Sequence, residues 1–271
     1  MRAFFCFAKN THELTLRNQS RIWLFVLIFG FDLWTLTMQP KISLSLVIFC
    51  YNEAGNIGRV IDLCQKLLPE ISSDFELIVV NDGSSDSTAA EVTAKLAHFP
   101  RLRLISHETN KGIGNALRTG YAASIKEYVC AIPGDNQFDL DLLKEVKPFD
   151  DSTYYAFYRI NTGYSTYRKI LSWGNRLFNQ HVLGIFLRDV NWVKVYRLSQ
   201  LRSIQPRLTS SLVESEICAK LYRKGVRPIE MPTNYLQREF GTPKGGGWKT
   251  LSLAIRDMSK LVWEVYRFRP K

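Results

Sequence analysis

The sequence predicts an α/β fold: a Rossmann-like, mostly parallel sheet flanked by helices, with a C-terminal amphipathic helix. Three observations carry this reading. Between residues 42 and 132, four short, apolar, β-branched runs alternate with segments whose apolar residues recur at helical spacing. Strands that alternate with helices pair in parallel through right-handed crossovers. Each apolar run ends in a polar cluster, and open parallel sheets bind ligands at the carboxyl ends of their strands.

The elements follow in order. Ile42 to Cys50 (ISLSLVIFC) is a buried strand that ends in the polar turn YNEAGN. Ile57, Val60, Ile61, Cys64, Leu67 and Leu68 make one helical stripe, which Pro69 is expected to stop. Phe75 to Val80 (FELIVV) is a second strand, broken by NDGSSDS. Thr88 to Phe99 is a second helix, preceded by Ser and Asp capping candidates. Leu102 to Ile105 is a third strand, HETNKGIGN a loop, and Ala116 to Ile125 a third helix. Tyr128 to Ile132 (YVCAI) is the fourth strand, ended by PGDNQFD.

After Asp150 the pattern loosens. Ser165 to Leu183 reads as a helix with Ile170, Leu171, Trp173, Leu177 and Phe178 as its apolar set. Val193 to Tyr196 is a short strand, and Leu212 to Lys224 a helix closed by Gly225. PKGGGW is a flexible loop. The last helix, Leu251 to Phe268, aligns Leu251, Ala254, Ile255, Met258, Leu261, Val262 and Val265 in one stripe, with Arg256, Lys260, Glu264 and Arg267 facing away. With Trp263, Tyr266 and Phe268 at its end it fits a helix lying on a membrane interface; the competing reading is a terminal helix docked on its own domain.

Composition narrows the class. Of 271 residues, 46% are hydrophobic and 23% charged, which excludes disordered, collagenous and disulfide-scaffold chains. Five scattered cysteines without a Cys-x-x-Cys pair suit a reduced compartment and argue against a zinc site. Residues 1–149 carry 15 basic and 16 acidic residues, whereas 150–271 carry 21 basic and 9 acidic ones. The whole basic excess therefore sits in the second half, a one-sided field that suits an anionic partner. No nucleic-acid-binding motif is present, which leaves phosphate groups and a membrane surface.

Residues 1–39 form a hydrophobic extension before a body over 40–250 and the basic helix over 251–271. The run Ile22 to Phe31 is about half the roughly 20 residues that a membrane-spanning helix needs, and lengthening it takes in Asp32. Arg17 and Arg21 precede it as in a signal peptide, without a small-x-small cleavage site. An interfacial anchor, a weak signal anchor and a stretch upstream of a true start at Met38 are the three readings.

The chemistry gathers at two strand ends. Asp82, in VVNDGSSDS, can accept a hydrogen bond from a base N–H, and Gly83, Ser84 and Ser85 let a nucleotide approach the backbone. Asp135 and Gln137, in PGDNQ, offer a carboxylate and an amide oxygen to a hard divalent cation. Such a cation neutralises a diphosphate leaving group.

In this order, VIFCYNEAGNI, IVVNDGSSDST, NKGIGNALRTGY and IPGDNQFDLDLL resemble the motifs of the family-2 glycosyltransferases with the GT-A fold. The likeness is to the dolichyl- and polyprenyl-phosphate sugar synthase branch. It continues through Arg159, the Arg168-to-Ser172 spacing, Asn175 and DVNWVKVYR. It ends with Arg238, Gly241 and Lys244, similar to the family's R-x-x-G-x-S-K loop with Pro243 in the Ser place. About residues 42–265 are covered.

The resemblance implies roles by position. Tyr51, Glu53 and Asp82 would hold the base and ribose of a nucleoside-diphosphate sugar, with Lys111 and Gly112 near the nucleotide. Asp135 and Gln137 would coordinate Mg²⁺ or Mn²⁺ at the diphosphate. Arg159, Arg168 and Ser172 would grip an acceptor lipid phosphate, so that Asp135, Arg159 and Arg168 form the catalytic set. Arg238 and Lys244 would sit on a loop closing over the donor. Two positions depart from the family pattern: Pro133 replaces the first acid of the usual Asp-x-Asp, and Asn81 stands where Asp is frequent.

The expected function is inverting transfer of a sugar from a nucleoside-diphosphate sugar to a polyprenyl phosphate at the cytoplasmic face of a membrane. A phosphate monoester is already largely anionic near neutral pH and needs positioning rather than a strong base. An acceptor hydroxyl on a glycan or glycolipid would need one. Glu214 and Glu216 are then the candidates, unless they are merely solvent-facing carboxylates. A catalytically weak, membrane-bound nucleotide-sugar-binding protein is the reading that Pro133 motivates.

Overall fold

A computed structural model describes residues 41–238 and 248–270, with the backbone alone for 248–255. The hydrophobic extension over 1–39 and the loop residues Gly241, Pro243 and Lys244 lie outside the described residues.

The first half is built as four βα repeats predict. Strands β1 (Leu44–Cys50), β2 (Phe75–Asn81), β3 (Leu102–Ser106) and β4 (Tyr128–Pro133) alternate with helices α1 (Ile57–Ile71), α2 (Thr88–Leu96) and α3 (Ile113–Ala123). All four strands run parallel. Every residue of β2 is buried, and all of β1 except Phe49. A parallel sheet covered on both faces selects such continuous apolar runs. Helix α1 passes Pro69 instead of stopping there. Proline removes a single donor in the last turn, and the Ser72 N–H still closes the helix on the Leu68 carbonyl at 2.9 Å.

The second half adds β5 (Thr153–Ile160), α4 (Thr166–His181), β6 (Lys194–Arg197), α5 (Leu198–Ile204), α6 (Val213–Arg223), β7 (Arg227–Asn234) and α7 (Trp248–Arg267). The sequence reading lacked β5, α5 and β7. The seven strands lie in the order β3-β2-β1-β4-β6-β5-β7, with β6 antiparallel to both β4 and β5. This is the GT-A arrangement: a mostly parallel sheet flanked by helices, with a terminal helix. The edge strand β7 carries Pro228 and Pro232, an even number apart, so both missing donors face the open side.

Two helices face differently from their sequence pattern. On α4, Tyr167, Ile170, Leu171 and Trp173 are exposed, Trp173 by 64%, although most of them belong to its expected buried set. On α7, Leu261 and Val265 are buried and Met258 and Val262 pack on the same core. The described part of its apolar stripe is therefore docked on its own domain, and the outward residues are Arg256, Ser259, Lys260, Trp263, Tyr266 and Arg267.

Register fixes the site. The end of β1 is flanked on one side by Asn81 of β2, opposite Cys50, and on the other by Pro133 of β4, opposite Phe49. Strands about 4.8 Å apart put the chain after Asn81 and the chain after Pro133 roughly 10 Å from each other, across one strand.

Candidate active site

The loops after β1 and β2 are tied into one unit. Asn52 N–H donates to Ser84 Oγ at 2.9 Å, and Asn52 Oδ1 accepts from Ser85 N–H at 2.8 Å. Glu53 N–H donates to Thr88 Oγ1 at 2.8 Å, and Ala54 N–H to Asp86 Oδ2 at 3.1 Å. Asn81 turns the chain: its Oδ1 accepts from Ser84 N–H at 3.1 Å. Gly83 has φ +67°, and a Cβ there would fall 2.3 Å from the Thr109 carbonyl carbon, so only glycine fits beneath the next loop. Tyr51 is half-buried directly after β1.

Asp82 organises the loop after β3. Its Oδ1 accepts from Lys111 N–H at 2.9 Å and its Oδ2 from Gly112 N–H at 2.8 Å. His107 completes the set, with Nδ1 2.6 Å from Asp82 Oδ1 and Nε2 2.9 Å from Thr119 Oγ1. Sequence reasoning missed His107. The signal was the register: Asn81 pairs with Ser106, so residue 107 stands opposite residue 82. A carboxylate offers about four acceptor positions, three of which are used here, and one remains for a ligand N–H or hydroxyl.

Beyond β4, Asp135 and Glu53 share the Arg238 guanidinium. Arg238 is hydrogen-bonded to Glu53 Oε2 and lies 3.8 Å from Asp135 Oδ2. Burial pushes the Asp135 carboxyl above the ordinary carboxylate range, against the pull of Arg238. The Gln137 amide, expected beside Asp135 as an oxygen donor to a cation, reaches toward the chain after β7. Gln137 Oε1 accepts from Tyr235 Oη at 2.9 Å and its Nε2 donates to the Leu236 carbonyl at 3.3 Å. Its carboxamide bridges to the chain after β7, and Oε1 keeps a second acceptor position. Among the described residues no three acidic, His or Cys groups cluster around a point. A magnesium-type ion is ordinarily held by one or two carboxylates plus substrate phosphate and water. Asp135 with neighbouring Glu53 fits that donor set.

Arg159, on β5, faces the same site through an aromatic cage. Asp189 grips it bidentately, accepting from Nε at 2.6 Å and from Nη2 at 3.0 Å. Burial works against its charge, yet the Asp189 bond holds it above the ordinary guanidinium value. The guanidinium carbon lies 4.4 Å from the Trp192 ring centre and 5.7 Å from that of Tyr235. Its Nη1 donates to Tyr164 Oη at 2.5 Å, which leaves two N–H donors for a ligand. Tyr235 binds Gln137, whose backbone N–H donates to Asp135 Oδ1 at 3.2 Å. Arg159 and Asp135 are thus joined through the Tyr235 ring and then the side chain and backbone of Gln137. Arg168, at the start of α4, stacks 4.9 Å from the Tyr164 ring centre. Ser172 is exposed one turn further along the same face.

Glu214 and Glu216 are neither solvent-facing nor placed as bases. Glu214 accepts from Tyr121 Oη, Tyr196 Oη and Lys194 Nζ at 2.8–2.9 Å. Glu216 accepts from the Arg207 and Leu208 N–H groups and pairs with Lys220. Lys194, fully buried, also donates to the Val190 and Trp192 carbonyls, which holds the turn between Asp189 and Trp192. These carboxylates are anchors of the second half.

A family model described as glycosyl transferase family 2 matches residues 45–199. Undecaprenyl-phosphate mannosyltransferase of Micrococcus luteus is 24% identical over 216 residues, which cover 74% of this chain and 86% of that protein. Dodecaprenyl-phosphate galacturonate synthase of Rhizobium johnstonii is 23% identical over 85% of this chain and 70% of its own length. Among solved structures, glucosyl-3-phosphoglycerate synthase from Mycobacterium tuberculosis with Mn²⁺, uridine diphosphate and glucosyl-3-phosphoglycerate superposes with a TM-score of 0.62 at 18% identity, covering 84% of this chain and 81% of that one.

Proposed function

The chain belongs to glycosyl transferase family 2 and is a glycosyltransferase, and from that premise we propose that it moves a sugar, with inversion, from a nucleoside-diphosphate sugar to a polyprenyl phosphate at the cytoplasmic face of a membrane. The observation that carries this reading is the link Asp135–Gln137–Tyr235–Arg159, which joins an acidic donor end to a cationic acceptor end. The names of the relatives support the same acceptor class, since two of them carry undecaprenyl or dodecaprenyl phosphate in their names. The buried thiols of Cys50, Cys64, Cys130 and Cys218 suit a reduced compartment.

The residues divide the work. Asp82, positioned by the Lys111 and Gly112 backbone N–H groups, receives the nucleoside, with Tyr51 and Glu53 beside it. Asp135, helped by Glu53, would hold Mg²⁺ or Mn²⁺, and that ion supplies neutralisation of the diphosphate as it leaves. Arg238 reaches the same two carboxylates and is placed to follow the diphosphate charge. Arg159 and Arg168 orient the acceptor phosphate, because guanidinium forks match phosphate oxygens in pairs. Ser172 adds a hydroxyl on the same helical face. The Trp192 indole N–H, buried with no acceptor among the described residues, is one more donor beside Arg159. A hydroxyl acceptor would require a base, and Glu214 and Glu216 are already bound to buried donors.

A transfer assay tests the reading. Nucleotide-sugar donors are screened against a polyprenyl phosphate and against sugar acceptors, with and without Mn²⁺. Divalent-dependent transfer to the polyprenyl phosphate is the expected result. Transfer only to hydroxyl acceptors, or donor binding without turnover, would refute it.

A further inference from the structure

Away from this site, the C-terminal ends of α6 and α7 enclose a cavity of about 440 Å³, lined among others by Arg207, Lys224, Arg267, Phe268 and Arg269. Its acidic lining residue is already engaged, since Glu264 lies 3.7 Å from Arg207, and the lining Lys220 is paired with the buried Glu216 behind it. Lys224, Arg267 and Arg269 have no carboxylate partner among the described residues. A helix C-terminus favours one nearby cation. Two such ends that bring three uncompensated cations around one concavity instead create a field that an anion relieves.

The adjoining surface specifies what kind of anion. Next to the cleft, α7 turns Arg256, Lys260, Trp263, Tyr266 and Arg267 outward, and no acid among them. Trp263 is 63% exposed and Tyr266 55%. Aromatic rings among cations are the composition that settles at lipid headgroup level. Tyr266 is held in place, since its Oη donates to the Val182 carbonyl just beyond α4 at 2.9 Å and Arg223 stacks 5.1 Å from its ring centre. The same contact ties this end of α7 to α4, the helix whose Ile170, Leu171 and Trp173 are exposed beside Arg168. Because Leu261 and Val265 point inward, contact with a membrane here is by headgroup charge and shallow aromatic insertion.

We propose that the Lys224–Arg267–Arg269 cleft and the outward face of α7 dock the phosphate headgroups of anionic phospholipids, and so hold the enzyme on the membrane that carries its acceptor. The inference rests on the reading that the acceptor is a membrane lipid. It adds a site for bulk lipid distinct from the acceptor's own.

Vesicle flotation of the full chain tests it, with phosphatidylcholine alone and with phosphatidylcholine mixed with phosphatidylglycerol. The wild type is expected to prefer the anionic vesicles and to lose that preference with added salt. The variant Lys224→Gln/Arg267→Gln/Arg269→Gln is expected to bind them roughly 100-fold more weakly, about 5-fold for each cation removed. Its turnover of a detergent-dispersed acceptor should match the wild type, which shows that it folds. Trp263→Ala should weaken binding to both vesicle types. Equal wild-type binding to both vesicles, or unchanged binding by the triple variant, would overturn the proposal. Displacement from vesicles by millimolar inorganic phosphate would also overturn it, in favour of a small-anion site. Anionic-vesicle binding with no transfer to any lipid phosphate would sink the proposed acceptor and leave the docking site standing.

Discussion

Residues 41–149 form four parallel strands with helices between them, and the loops at their tips bind one another through backbone N–H groups and short polar side chains. Residues 150–270 interleave antiparallel and parallel strands, bury Lys194 and Lys220 in ion pairs, and expose large apolar side chains on α4. In the first half no lysine is buried among the described residues. The first half is thus a repeated architecture whose strand-tip loops are cross-linked by hydrogen bonds. The second half is held by charges fixed inside, and its helix α4 presents apolar side chains outward. Under the proposed function, the soluble donor would meet the former and the lipid acceptor the latter.

The largest expected effect tests the buried charges. Lys194→Met should destabilise the fold by about 3–5 kcal/mol in urea unfolding, because Glu214 is left charged and buried. The half-exposed pair Lys95–Asp62 of the first half is the control, and Lys95→Met should cost less than about 1 kcal/mol. Similar losses would erase the contrast between the halves.

Next comes Asp135→Asn. Turnover should fall by roughly 100-fold or more, while circular dichroism and thermal unfolding stay those of a folded protein. The pH dependence follows from burial. A carboxyl whose pKa is raised stays neutral to higher pH. In the metal-free protein the Asp135 carboxyl should therefore titrate above the ordinary carboxylate range, a transition that Asp135→Asn lacks. The ionised carboxylate also costs stability as pH rises, so the Asn variant should lose less stability between acid and neutral pH.

How much of this was legible follows the same division. The motifs at the ends of β1, β2 and β4 were readable because a parallel sheet forces both its apolar runs and its polar tips. Strand β5 was missed because its run TYYAFYRI is aromatic, with β-branched residues at its two ends alone, unlike the aliphatic runs of β1 and β2. Strand β7 was missed because Pro228 and Pro232 argue against a strand until its edge position is known. The period of α4 identified a helix, but periodicity cannot say whether an apolar face meets the core or the outside. Glu216 and Lys220 stand one helical turn apart and were findable. Glu214 finds Tyr121 across 93 residues and Lys194 across 20, and no local pattern announces such partners. The bond from Tyr235 to the Gln137 amide was not legible, because Tyr235 follows β7, 98 residues further along the chain.

The smallest effect sharpens the donor side. His107→Phe removes one bond to Asp82 and leaves those from Lys111 and Gly112. The donor KM should rise about 5-fold, with the acceptor KM unchanged.

Bisubstrate kinetics of Arg168→Ala address the division of donor and acceptor ends most directly. The acceptor KM for a polyprenyl phosphate should rise roughly 10-fold or more, as for loss of a charged hydrogen bond, with the donor KM at the wild-type value. A donor KM that rises while the acceptor KM holds would contradict the assignment of the two ends.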